Sequence, residues 1–231
     1  SNCFRSSSMV MKFFPLTILD DFFENPDEVL KLAEEVDYQN TGQNSFPGQV
    51  SNLTLDKINF DIFFYTMKRI LSLYWEGECE ENFQVTMQFH KILPHDDSLL
   101  NKGIIHHDFI QNEVFSGVIY LNENAIDSGT SFFELKEKYQ NYNTPNEFFK
   151  HLETTKKYHG GIEESDLKSI LRKHRNKFQE TMRVQSKKNR MVLYPSGYWH
   201  SQTTYGQNTR YTIRYFCRSD STGKKFPISR V

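Results

Sequence analysis

Cysteine is scarce in this chain. Cys3, Cys79 and Cys217 are three in 231 residues, an odd number spread far apart, and they match no metal-finger spacing. That excludes a disulfide-stapled scaffold and favours a reducing compartment. Long apolar runs are missing too: none approaches the ~18 residues that a membrane span needs. The stretch 1–12 is polar and Ser-rich and lacks the apolar core of a secretory signal, so it reads as a flexible N-terminus. Nor is there an excess of one charge. The 28 Lys and Arg against 29 Asp and Glu leave a net charge of -1, which excludes a general polyanion binder. Together these absences predict a soluble, cytoplasmic protein with no membrane partner and no general affinity for nucleic acid.

What the chain does have is aromatic bulk. Aromatic residues make up 15% of it, with 20 Phe and 12 Tyr, enough to fill a core and to exclude wholesale disorder. The length suits one domain, expected over 13–231. Asn25-Pro26-Asp27-Glu28 reads as a helix start, with Asn25 as cap, and Val29, Leu30, Ala33 and Val36 give the helix its apolar face. A second helix is expected from about Leu55 to Tyr74, ending at Gly77, after a loop over 40–52. From Phe83 the period becomes alternating, with Phe83, Val85, Met87 and Phe89 on one face. Further strands are expected at Ile104-Ile105, Val114–Leu121, Thr130–Leu135, Met191–Tyr194 and Arg210–Phe216. Many short strands with little crossover helix predict a mainly β fold, a sandwich or jelly-roll barrel with the N-terminal helices outside.

Three clusters carry chemistry. His106-His107-Asp108 contains a His-x-Asp pair, and residues i and i+2 of a strand point the same way, so His106 and Asp108 can converge on one ion. His200 supplies a second imidazole from a distant stretch. Two imidazoles and a carboxylate occupy one face of an octahedral metal and leave three positions open, the ligand set of non-haem Fe(II) oxygen chemistry. A second such pair, His95 and Asp97, follows Pro94 in a polar loop and reads as a solvated turn. In the strand from Arg210, the residues Arg210, Thr212, Arg214 and Phe216 share one face. A guanidinium turned into a barrel is costly unless it meets an anion, and a dicarboxylate held by Arg210 with Thr212 would supply one. The alternative is that this face points to solvent. Arg214 could stand in for Arg210 one rung along, while His90 reads as a satisfied structural histidine and Trp199 as packing.

The ordered set His106, Asp108, His200 and Arg210, with Thr212, resembles the signature of Fe(II)/2-oxoglutarate-dependent oxygenases. Ser116–Asn122, Asp127–Phe133, Arg190–Ser196 and Leu19–Pro26 resemble segments of prolyl-4-hydroxylase-like members. The resemblance implies a double-stranded β-helix (jelly roll), with Fe(II) on His106, Asp108 and His200. It places the distal carboxylate of 2-oxoglutarate on Arg210 and Thr212, and offers Tyr120 as a cosubstrate hydrogen bond or else an ordinary core tyrosine. It further implies use of O2, release of succinate and CO2, stimulation by ascorbate, and hydroxylation of a protein side chain, an amino acid or a small metabolite. The carboxylate ligand Asp108 favours hydroxylation over halogenation. The chain departs from the pattern in having Ser128-Gly129 for a paired glycine.

It departs also in a long insertion, expected to be helical, at about 136–189. About half of the 28 Lys and Arg fall between Lys136 and Arg190. Leu167, Ile170, Leu171, His174, Phe178 and Met182 form one stripe from Ser165 to Met182, with acidic residues first and basic ones later, the order that a helix dipole favours. A packed amphipathic helix with a solvated basic face is the expected role, ahead of a lid or a nucleic-acid surface. The competing class for the whole chain is a non-enzymatic, cupin-like module that binds a metal or a small acid.

Overall fold

Alternating apolar residues build the main sheet, and the helices cover its apolar side. The computed structural model describes residues 16–40, 48–73, 83–93, 104–108, 113–123, 127–140, 164–205 and 208–219. In chain order the elements begin with β1 (Thr17–Leu19), α1 (Pro26–Glu35), β2 (Tyr38–Asn40), β3 (Gly48–Ser51), α2 (Leu55–Ile58) and α3 (Phe60–Ser72). Next come β4 (Phe83–Ile92), β5 (Glu113–Tyr120), β6 (Gly129–Leu135) and α4 (Glu164–Arg175). The chain then runs through β7 (Phe178–Gln185), β8 (Arg190–Pro195), β9 (Trp199–Gln202) and β10 (Arg210–Ser219). No helix among the described residues is long and apolar enough to cross a membrane.

The strands form a seven-stranded sheet, β1-β8-β5-β10-β4-β3-β2, and a three-stranded sheet, β7-β6-β9. All pairings are antiparallel. The fold is a jelly roll with outer helices, as the alternation predicts. Phe83, Met87, Phe89, Phe115, Ile119, Ile213 and Tyr215 point from the large sheet into one apolar cluster with Phe22, Val29, Ala33, Leu55, Ile70 and Leu71. The opposite face of the large sheet meets the small sheet through Val118, Tyr120, Phe132, Val184, Val192 and Tyr194. Burying large aliphatic and aromatic side chains contributes roughly 1.5–3 kcal/mol each, so the helix-side cluster is the main source of stability.

The N-terminal segment is held by the turn before β8. Asn189, in the left-handed region at φ 63, accepts from the Phe23 N–H at 2.8 Å and donates to the Phe23 carbonyl at 2.8 Å. Arg190 donates to both carboxylate oxygens of Asp20, at 2.6 and 3.0 Å. Leu19–Pro26 is thereby fastened to the edge of the large sheet.

Five expectations are corrected. The strand expected at Ile104-Ile105 does not form, and that segment pairs only through an isolated bridge at His106. Asn25 makes no side-chain capping bond, although Pro26 does open α1. The helix expected over 55–74 breaks at Asn59, which is extended (φ -152) and caps α3 by accepting from the Ile62 N–H at 3.0 Å. Part of the expected loop over 40–52 is strand, because Gln49 and Val50 pair with both β2 and β4. The helix expected over 165–182 ends at Arg175. Phe178 and Met182 belong to β7, whose backbone finds partners along β6. Gly77, His95, Asp97 and Gly160-Gly161 lie outside the described residues.

Two glycines are required by close approach. At Gly129, with φ +151, a Cβ would meet the Val184 carbonyl at 2.0 Å. At Gly117 a Cβ would lie 2.1 Å from the Tyr215 hydroxyl and 2.3 Å from the Val192 carbonyl, which that hydroxyl itself bonds at 2.9 Å. Gly117→Ala should therefore cost ~2–3 kcal/mol by overpacking and lower the melting temperature by ~5–10 °C. An unchanged melting curve would show that β5 and β10 are less closely packed.

Candidate functional site

The site is built where two remote stretches meet. His106 and His200 exchange main-chain bonds, N–H to carbonyl, at 2.9 and 2.8 Å, so residue 106 extends the small sheet beyond β9. Two residues on, the Asp108 N–H donates to the Ser196 carbonyl at 2.8 Å. One potential ligand atom from each of His106, Asp108 and His200 then lies within 4.8 Å of the others. His106 Nε2 stands 3.6 Å from Asp108 Oδ1, and His200 Nε2 stands 3.4 Å from Asp108 Oδ2. Donors on one ion at bonds of ~2.1 Å stand ~3 Å apart, so small rotations suffice to close this set on a cation.

Both imidazoles are oriented by main-chain carbonyls. His106 Nδ1 donates to the Ile104 carbonyl at 2.7 Å, and His200 Nδ1 to the Tyr198 carbonyl at 2.9 Å. Each bond places the proton on Nδ1 and leaves a lone pair on Nε2, which is how a metal-binding histidine is oriented by its surroundings. Burial holds His200 neutral down to about 4, against the partial opposition of Asp108. Burial alone would raise the Asp108 pKa. The pull of His200 and His106 in their protonated forms, the charge of Arg214 and the Ser116 hydroxyl outweigh it and hold the carboxyl below its ordinary value. His107 points away from the triad, its ring 4.6 Å from that of Trp199.

The second half of the site lies on the inner face of β10. Tyr211, Ile213, Tyr215 and Cys217 belong to the helix-side cluster, so Arg210, Thr212, Arg214 and Phe216 face the small sheet. Arg210 is 1% exposed, and burial pulls its pKa down, but a guanidinium remains cationic. Its Nε and Nη2 have no hydrogen-bond partner among the described residues, and Nη1 reaches only the Thr204 carbonyl at 3.5 Å. The rings of Tyr120 and Tyr205 flank it at 5.8 and 5.6 Å. Thr212 is buried beside Tyr120 in the adjacent strand. The Tyr120 hydroxyl is bonded to Thr130 Oγ1 at 2.6 Å, and its ring is the part that faces Arg210. His90, opposite Thr212, is pushed well below the histidine range by burial, with Arg214 and Arg210 adding to it, and stands neutral.

One residue was not foreseen. The Tyr194 hydroxyl lies 3.1 Å from His200 Nε2, and the Tyr194 and Phe132 rings pack at 5.2 Å. Its signal was present in the alternation of β8, which sends Val192 and Tyr194 inward between Met191 and Leu193.

The family model that matches residues 5–209 describes a family of unknown function, DUF6445. The chain belongs to DUF6445. A search of curated proteins finds none significantly similar in sequence to this DUF6445 chain. Solved structures do resemble it. One is an oxidoreductase of the 2OG-Fe(II) oxygenase family from Burkholderia pseudomallei, with TM-score 0.53 and 10% identity over 88% of this chain and 85% of that one. Another is a prolyl hydroxylase from Trichoplax adhaerens in complex with a hypoxia inducible factor peptide, with TM-score 0.51 and 14% identity over 89% and 84%. A third is HygX from Streptomyces hygroscopicus with nickel and 2-oxoglutarate bound, with TM-score 0.54 and 7% identity over 94% and 89%. At such identities the likeness is one of fold.

Behind the small sheet, Ile105, Phe133 and Phe178 cluster with Trp199. From α4, His174 Nε2 donates to the Ile105 carbonyl at 2.8 Å, one residue before His106. Burial lowers the His174 pKa from 6.5 to about 4. The unfolded chain therefore takes up this proton first on acidification, so the contribution is complete above 6.5 and is lost as pH falls towards 4. His174→Gln keeps a donor for that carbonyl and should lose ~2–3 kcal/mol less stability across this window in urea titrations. Equal slopes for the two proteins would exclude His174 as the proton acceptor.

Proposed function

We propose that the chain is an Fe(II)- and 2-oxoglutarate-dependent dioxygenase that hydroxylates its substrate and releases succinate and CO2. The observation that carries this reading is the pairing of the His106–Asp108–His200 set with a buried guanidinium whose Nε and Nη2 find no hydrogen-bond partner among the described residues. Two imidazoles and one carboxylate with open positions suit Fe(II). A buried cation without an anion is unfavourable on its own, and a bidentate carboxylate would satisfy Arg210. The residues present thus fit both groups.

His106, Asp108 and His200 would hold the metal, and Arg210 with Thr212 the far carboxylate of the keto acid. Bound Fe(II) supplies the activation of O2 coupled to decarboxylation of the keto acid. The protein does the rest by position. The Ile104 and Tyr198 carbonyls hold the imidazole planes, and Ser116 holds the carboxylate. Val118, Phe132 and Val192 keep the inter-sheet space apolar, which strengthens the charge interactions within it. Tyr120 serves as a wall beneath Arg210 in this reading.

The test is turnover of 2-oxoglutarate to succinate with Fe(II), O2 and ascorbate. Asp108→Ala should abolish it. Arg210→Met should raise the KM for 2-oxoglutarate ~100-fold, the worth of a charge-assisted bidentate contact, without loss of thermal stability. A wild type that binds neither iron nor 2-oxoglutarate would overturn the proposal. Tight binding of a small acid without O2 consumption would favour a cupin-like binding module instead.

A further inference from the structure

Arg214 is left without a task by the reading above. It shares the inner face of β10 with Arg210 and lies two rungs further along, where four residues of strand place their Cα atoms ~13 Å apart. Its neighbours across the ladder are Val118 and Gln88. On the next rung, Phe216 pairs with Ser116, which in turn pairs with Tyr194. Ser116 and Tyr194 are the residues whose hydroxyls reach Asp108 and His200. Arg214 therefore stands closer to the triad than Arg210 does, and its charge is felt by Asp108, His200 and Tyr194.

Unlike Arg210, Arg214 is only half-buried, so solvent still reaches it. Among the described residues it makes no hydrogen bond or ion pair, and its ring contact is with Phe216, 4.8 Å from the guanidinium carbon. Charge balance sharpens the point. A divalent cation, the Asp108 carboxylate, a dicarboxylate and the Arg210 guanidinium sum to zero, and the nearby His90 is neutral. Arg214 remains as one uncompensated positive charge beside the metal site. A partly desolvated cation of this kind is costly until an anion meets it.

We infer that Arg214 is the substrate anchor, and that the substrate is a small carboxylic acid or free amino acid whose carboxylate it grips. A carboxylate is preferred to a phosphate dianion because a single planar fork matches one carboxylate. Gln88, Ser116, Val118 and Phe216 around it add no second cation. An internal protein side chain such as a prolyl residue would leave this charge unmet. The inference rests on the oxygenase reading, since it assigns the keto acid to Arg210.

The test uses the whole chain loaded with Ni(II) and 2-oxoglutarate. The probes are the free proteinogenic amino acids and short straight-chain carboxylic acids, each beside its primary amide, with dissociation constants read by calorimetry or ligand-observed NMR. At least one acid should bind ~10-fold or more tightly than its amide, the worth of a hydrogen bond to a charged group. Arg214→Met should erase that advantage while leaving 2-oxoglutarate affinity at saturating Ni(II) within ~2-fold, and Arg214→Lys should keep part of it. Equal binding of acids and amides, or no acid binding at all, would overturn the inference even if no variant folds. Loss of 2-oxoglutarate rather than of the acid in Arg214→Met would also overturn it, reassigning Arg214 to the cosubstrate. A wild type that takes up neither Ni(II) nor 2-oxoglutarate would sink the oxygenase reading itself.

Discussion

The exchange of two main-chain hydrogen bonds between His106 and His200 is the constraint on which the site depends. It joins segments almost a hundred residues apart in sequence, and closing so long a loop carries an entropic cost that two bonds alone do not meet. The remainder comes from packing on either side. Phe132 and Tyr194 press on the inner face of His200, while Ile105, Phe178 and Trp199 cluster behind the bridge. The bond from Asp108 to the Ser196 carbonyl fixes the carboxylate in step with the imidazoles. Each of the three side chains is thus tied by its own main chain, directly or through a bridge, to β8 or β9 and the turn between them.

The molecule separates stability from chemistry by face. The helix-side cluster of the large sheet is apolar and closely packed, and it holds the strands whichever residues lie on their other side. That permits the inner face to carry groups that weaken a fold, among them a fully buried guanidinium, a neutral buried histidine and a buried carboxylate. Polar groups of this kind persist where surrounding structure over-determines their positions. The Asp20–Arg190 and Asn189–Phe23 contacts serve the same end, fastening the N-terminal segment over the sheet edge nearest Tyr120.

Much of this was legible in the residues. The alternation of Phe83–Ile92 and Arg210–Phe216 fixes which side chains face the helices, and so places Arg210 and Thr212 inside. A strand period pairs His106 with Asp108 in the sequence, but in the structure only residue 106 bridges to β9, and a main-chain bond to Ser196 places Asp108 instead. What was not legible depends on tertiary pairing. Phe178 and Met182 fit a helical stripe as well as a strand, and only the partner β6 decides between them. Gln49 and Val50 carry no strand signal of their own and become strand because β4 offers an edge. Asn59 splits a continuous apolar pattern because its side chain serves the next helix better than the last. Tyr194 is indistinguishable in sequence from a core residue, because a tyrosine in an apolar strand declares a polar role only through the position of its hydroxyl.

The placement of β7 has a wider consequence. It is the outer strand of the small sheet, and its exposed face carries Glu180 and Arg183, paired at 2.8 and 3.0 Å. Charged side chains on an edge discourage another chain from adding to it. The stretch between β6 and β8 therefore supplies both the backing of the His106–His200 bridge and a guarded border. Were a descendant to shed it, β6 would present Phe132 and Phe133 along a bare edge, open to pairing with its copies. Such a lineage would be prone to aggregate and would lose the support behind His106 as well, so length variation in this region is expected upstream of Glu164.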